Sequence, residues 1–207
     1  MRSLLRGNET FRKSYVEGAR SFLQRLASDK QSPSALYVGC SDSRVIPELL
    51  TSSSPGELFV VRNVANLIPP RSDADASVGA AIDYAIEVLN VEHVIVCGHV
   101  GCGGVKAILD GHAQLRHLPS LHAWLNGAAP TILAEYDPDE EGARAWHRAV
   151  QTNVLAQVDN LRSFPAVIDR LQKGTLQVHG WVYDLASGGV DVYDPELDRF
   201  VAPAVHG

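Results

Sequence analysis

Two short clusters in this chain concentrate the residue types that hold metals and move protons. They are Cys40-Ser41-Asp42-Ser43-Arg44 and Cys97-Gly98-His99-Val100-Gly101-Cys102-Gly103-Gly104. Thiolate and imidazole are soft ligands suited to Zn²⁺ in tetrahedral geometry. His99 and Cys102 stand three apart on a glycine-rich turn that lets both aim at one ion, and Cys40 is the natural third ligand. A structural zinc site closes with a fourth Cys or His, whereas three protein ligands and an open fourth position is the arrangement of catalytic zinc. Cys97 precedes Gly98 inside an apolar run and reads as a small buried hydrophobe. Alone, the His99 and Cys102 pair is a weak pattern, and the second cysteine strengthens it. The other histidines, His93, His112, His117, His122, His147, His179 and His206, have no ligand spacing and read as surface or satisfied core residues.

Asp42 and Arg44 carry opposite charges two positions apart, beside Cys40. One reading is a salt bridge that shapes a turn. The other places them next to a metal, where the arginine keeps the aspartate ionised and oriented as an acceptor for the proton of a metal-bound water.

Each cluster follows a short apolar run. Ala35-Leu36-Tyr37-Val38 leads into the first and Val94-Ile95-Val96-Cys97 into the second, and Glu57-Leu58-Phe59-Val60-Val61 is a similar run ending at Arg62-Asn63. All three read as buried strands. Between Ser77 and Leu89, apolar residues recur at three and four, which predicts a helix with Ser77 as N-cap. Another helix starts at Gly103-Gly104, and 118–171 is helical in character with Pro130, Pro138 and Pro165 as breaks. Leu176-Gln177-Val178-His179-Gly180-Trp181-Val182-Tyr183 turns at Ser187-Gly188-Gly189 into Val190-Asp191-Val192-Tyr193, a hairpin. Strands alternating with helices predict an α/β fold: a mostly parallel central sheet of about four strands, an antiparallel edge strand and flanking helices. In such sheets the functional crevice lies beyond the carboxyl ends of the strands, where strand order reverses. Both clusters meet there if the first and third strands are neighbours.

With 207 residues the chain fits a single domain, 1–207, on a prior of about 150 residues per domain. Its opening segment, 1–30, spaces Leu4, Leu5, Phe11, Tyr15, Phe22, Leu23 and Leu26 loosely as amphipathic helix, to be packed on the body or on a partner subunit. Hydrophobic residues at 45% and charged residues at 20% exclude a disordered chain. A net charge of -6 without a basic stretch argues against nucleic acid as partner. No apolar run approaches the roughly 20 residues of a membrane span, and the start breaks too early for a signal peptide, so a cytoplasmic protein without a membrane partner is expected. Three cysteines are too few for a disulfide framework, which leaves metal or catalytic use.

The two clusters closely resemble the signatures of β-class carbonic anhydrases. Gly56-Glu57-Leu58-Phe59-Val60-Val61-Arg62-Asn63-Val64-Ala65-Asn66 and His179-Gly180-Trp181-Val182-Tyr183-Asp184 are similar to further family segments in family order, so the resemblance spans about 31–193. It implies an enzyme with one Zn²⁺ per chain that hydrates CO₂ to bicarbonate and a proton, working as a homodimer or multiple of dimers. Zinc lowers the pKa of its water to about 7, and the hydroxide attacks CO₂. Carried over residue by residue, Cys40, His99 and Cys102 match the zinc ligands, and Asp42 and Arg44 the catalytic dyad, with Asp42 a fourth ligand only in a closed state. Gln31, Phe59, Val64 and Tyr84 match the substrate pocket, and the Gly104 amide its anion donor. One subtype has a tryptophan three residues before the first zinc cysteine, where it helps build an inhibitory bicarbonate site. Here that position is Tyr37, although Arg62 and Tyr183 match the rest of that site. With Gln31 present, the chain resembles the plant-type, open-site subtype. Segment 119–164, with Trp124-Leu125 and Asn153-Val154-Leu155-Ala156-Gln157, is most similar to members associated with cyanate metabolism. Two other activities stay open: hydrolysis of another heteroallene such as COS or CS₂, and a non-catalytic, zinc-stabilised regulatory module. The retained Asp42 and Arg44 argue against the latter.

Overall fold

The computed structural model describes residues 1–73, 75–137, 140 and 142–203, with only the backbone at His112. Pro138 and His206 lie outside the described residues. The chain forms two compact units, Met1–Ser32 and Pro33–Gly207, each taken by itself here.

The first unit is helical, as its spacing predicts: α1 (Arg2–Phe11), a π-helical turn (Arg12–Val16) and α2 (Arg20–Ser28). It buries no residue of these helices. Phe11 and Tyr15 stack at 5.1 Å between ring centroids, while Leu4 and Leu5 stay 74% and 62% exposed.

The second unit runs β1 (Ala35–Cys40), α3 (Pro47–Leu50), β2 (Leu58–Asn63), α4 (Ala76–Asp83), β3 (His93–His99), α5 (Gly103–Leu109), α6 (Pro119–Asn126), α7 (Ala129–Ala134), α8 (Gly142–Leu161), α9 (Pro165–Gln172), β4 (Gln177–Tyr183), β5 (Val190–Asp194) and β6 (Arg199–Val201). The strands form one sheet in the order β2-β1-β3-β4-β5-β6. The first four are parallel, and β4, β5 and β6 pair antiparallel. The α/β class with a mostly parallel sheet is as predicted, and β6 adds a second antiparallel strand at the edge. A three-residue strand leaves too little alternation to announce itself.

β1 is apolar without a break because it is central and covered on both faces, every residue from Ala35 to Cys40 being buried. On one face Leu36, Val38, Val94 and Val96 pack with Ile82, Val105, Ile108 and the Val150, Val154, Val158, Leu161 stripe of α8. Each such buried aliphatic side chain contributes about 1.5–3 kcal/mol. On the other face Ala35, Tyr37, Ile95 and Cys97 form a smaller cluster edged by Leu58, Trp181 and Tyr183. Cys97 is therefore the buried residue its position predicts, and burial pushes its thiol up to about 12.

The helix read over 77–89 differs in two details. Asp75, not Ser77, is the N-cap: its Oδ1 accepts from the Ser77 and Val78 backbone N–H groups at 3.0 and 3.2 Å. Aspartate places an acceptor at the right reach for both amides, and Ser77 already sits inside the first turn. After Asp83 the helix widens into a π-helical turn, Tyr84–Val88. The prolines Pro119, Pro130 and Pro165 each fall in the first turn of a helix, where no amide donor is needed. Gly98 lets α8 approach β3, since a Cβ there would lie 2.7 Å from Val154 Cγ2.

Candidate active site

β1 and β3 are neighbours with β2 and β4 on their outer sides, so strand order reverses between them and a crevice opens beyond their carboxyl ends. Cys40 is the last residue of β1, His99 the last of β3, and Cys102 immediately precedes α5. All three are buried, and their donor atoms lie within 4.8 Å of one another. The Cys40 and Cys102 Sγ atoms are 3.9 Å apart. Two sulfurs each about 2.3 Å from a tetrahedral ion are separated by about 3.8 Å.

The imidazole of His99 is prepared for the same ion. Nδ1 lies 3.1 Å from the Val100 carbonyl, so it carries the proton and donates it there, leaving Nε2 with a free lone pair. Nε2 is buried and has no hydrogen-bond partner among the described residues. An orphaned acceptor among two thiols costs stability unless a ligand satisfies it, and a soft divalent cation does so. The hydrogen bond between the thiols pulls Cys40 down, against burial. The same bond, with burial, pushes Cys102 up. A bound cation ionises both.

Asp42 stands at the mouth of this cluster, its Oδ2 3.8 Å from His99 Nε2. Arg44 grips it with three donors: the backbone N–H and Nε to Oδ1 at 3.0 and 2.9 Å, and Nη2 to Oδ2 at 2.7 Å. Those side-chain bonds hold the Asp42 carboxyl well below the usual carboxylate range, against partial burial. Arg62 reaches across from β2, its Nε donating to the Cys40 carbonyl at 3.0 Å and its Nη2 to the Asp42 carbonyl at 2.6 Å. Tyr37, within β1, is fully buried, and Tyr183 closes β4 half-buried.

A family model described as carbonic anhydrase matches residues 35–190. The carbonic anhydrase of Pseudomonas aeruginosa is 42% identical over 208 residues, covering 100% of this chain and 93% of that one. The chain belongs to the β-class carbonic anhydrases. A solved structure described as the β-carbonic anhydrase CcaA superposes with a TM-score of 0.93 at 39% identity, covering 98% and 99% of the two chains. Two tetrameric β-carbonic anhydrases from Sordaria macrospora are represented by a structure with a TM-score of 0.81 at 28% identity, covering 97% and 98%. As a β-carbonic anhydrase the protein interconverts CO₂ and bicarbonate with zinc as cofactor.

Phe59 of β2 and Tyr84 form a tilted pair 5.8 Å between centroids. Val64, 38% exposed, leans on Gly104, where a Cβ would lie 3.0 Å from Val64 Cγ1 and 2.9 Å from Ala65 Cβ. Gln31 is exposed and belongs to the Met1–Ser32 unit. His93 and His179 are not scattered but face one another at 3.2 Å, Nδ1 to Nε2. Sequence reasoning missed the tryptophans that brace the carbonic anhydrase site: Trp146 Nε1 donates to the Cys102 carbonyl at 3.0 Å and Trp124 Nε1 to the Val64 carbonyl at 2.8 Å. It also gave no role to Asn153 and Gln157, although amides inside the apolar stripe of α8 are a readable signal of buried polar work.

Proposed function

We propose that Asp42 and Arg44 are the catalytic pair of this carbonic anhydrase and that Cys40, His99 and Cys102 hold its zinc. The observation that carries this reading is His99 Nε2, buried without a hydrogen-bond partner among the described residues, beside two thiols and 3.8 Å from a carboxylate that Arg44 restrains. Zinc supplies hydroxide at neutral pH by lowering the pKa of a water to about 7. Asp42, kept ionised by Arg44, accepts a hydrogen bond at Oδ2 and so orients the nucleophile rather than storing its proton. The Gly104 N–H, at the start of α5, orients the anionic product. Phe59, Val64 and Tyr84 form the apolar wall for CO₂. Tyr37 in place of tryptophan, with Asp42 triply held by Arg44, supports the open-site subtype.

The chain works in a homodimer or multiple of dimers, with its helical segment 1–30 packed on a partner subunit. The exposed Leu4, Leu5 and Phe11 support this, as do the tetrameric relatives from Sordaria macrospora. Among the described residues no helix is long and apolar enough to cross a membrane, which supports a cytoplasmic setting. The likeness of 119–164 to cyanate-associated members supports a role in exchanging CO₂ and bicarbonate beside cyanate breakdown.

The test is zinc content together with stopped-flow CO₂ hydration. Wild-type protein holds about one zinc per chain, and Cys102→Ala loses both metal and activity. Full zinc and full activity in that variant remove Cys102 from the site.

A further inference from the structure

The turn that follows β2 adopts a shape that its residues do not favour. Ala65 and Asn66, neither of them glycine, both take positive φ, at 64° and 50°. Such backbone persists only where the surroundings over-determine it. Here the surroundings are α8. Asn153, fully buried, donates from Nδ2 to the Ala65 carbonyl at 2.9 Å, and its Oδ1 accepts from Gln157 Nε2 at 3.0 Å. Gln157 Oε1 in turn accepts from the Ile68 N–H at 2.7 Å, and Asn160 Nδ2 donates to the Ile68 carbonyl at 2.8 Å.

The ladder is directional. Asn153 and Gln157 are one helical turn apart, and each amide uses one atom on its neighbour or the other on the turn, so neither can flip without losing two bonds. Buried amides in an apolar stripe cost free energy unless satisfied, and these two are satisfied by the 65–68 backbone. The turn so gripped faces the metal ligands on its other side. Ala65 lies in the same buried cluster as Cys40 and Cys102, and Ala65 Cβ sets the closest approach at Gly104 of α5.

We infer that Asn153, Gln157 and Asn160 are positioning residues for the zinc centre, holding the 64–68 turn so that Ala65 packs in place among Cys40, Cys102 and the start of α5. The inference rests on the assignment of Cys40, His99 and Cys102 as zinc ligands. It concerns geometry at the sulfur, so it is read at the metal rather than through turnover alone.

The experiment compares wild type with Gln157→Met, which keeps side-chain length but removes all three of its side-chain hydrogen bonds, to Ile68, Asn153 and Asn160, and with the milder Asn160→Ala. Val167→Ala, a core truncation in α9 away from the turn, controls for general loss of stability. Zinc release to a chromophoric chelator and the thiolate-to-metal charge-transfer band of the cobalt-substituted protein are measured. Zinc release is expected to quicken about tenfold in Gln157→Met, the lower end for loss of an outer-shell partner. Its cobalt band should shift, Asn160→Ala should move the same way by less, and Val167→Ala should match wild type. Should Gln157→Met fail to fold, Asn160→Ala alone decides against the control. Release rates and cobalt bands equal to wild type, or to Val167→Ala, overturn the inference. A wild-type protein without zinc or cobalt binding overturns the ligand assignment itself.

Discussion

At the residue scale, the site turns on how Asp42 is held. Arg44 is 62% exposed, so the pair adds little to stability, and its worth lies in direction. With the guanidinium removed, the carboxylate is free to rotate toward the three donors it already approaches. Arg44→Ala is therefore expected to keep its zinc and to lose about 10- to 100-fold in CO₂ hydration, the range for an outer-shell partner. Metal analysis and stopped-flow rates on one preparation check this, and a wild-type rate contradicts it. The grouping of Cys40, His99 and Cys102 was legible because soft donors at strand ends are chemically unusual. The Arg62 grip on the Cys40 and Asp42 carbonyls was not, since an arginine in a strand does not announce which backbone 20 positions away it will meet.

Elements set how closely the ligands are braced. α5 meets the 64–66 turn with no room for a side chain at residue 104. Gly104→Ala is expected to push the helix start away from Ala65, at a cost of about 1–3 kcal/mol. Denaturant unfolding should show the loss, with CO₂ hydration falling in parallel. Farther along the same sheet, burial and the neighbouring His93 hold the His179 imidazole below its ordinary value. The unfolded chain thus binds a proton more readily than the folded one below about pH 6.5. The stability this pair contributes is present above that pH and is lost as pH falls below it. Between pH 7.5 and 5.5 the urea midpoint of wild type should drop more than that of His179→Gln. Element types followed from apolar spacing, whereas the Asp75 cap and the π-helical turn at 84–88 did not, because both depend on local hydrogen bonding that periodicity does not record.

For the whole molecule, the open question of assembly has a direct expression in the Met1–Ser32 helices, which keep leucine and aromatic side chains in water. Sedimentation at micromolar concentration is expected to show a dimer or larger species. Leu5→Glu combined with Phe11→Glu should shift it toward monomer, and an unchanged distribution removes this face from the interface. The α/β architecture and the meeting of the two clusters were readable because alternating strands and helices leave few topologies. What occupies the N-terminal face was not, since amphipathic spacing reports that a surface is needed and not whose.

The register of the sheet also has a consequence for synthesis. β3 pairs on one side with β1, made early, and on the other with β4, whose partner for His93 is Gln177, 84 positions later. Cys40, His99 and Cys102 have thus left the ribosome while the strand that flanks His99, pairing it with Tyr183, is still untranslated. During that interval the cysteines are thiols on an incompletely paired sheet, and non-local pairing of this kind is slow. The nascent chain is exposed to oxidation for a period that the finished protein is not. A ribosome stalled at codon 150 should accordingly carry Cys40 and Cys102 in alkylatable form, and one stalled beyond the C-terminus with zinc present should not.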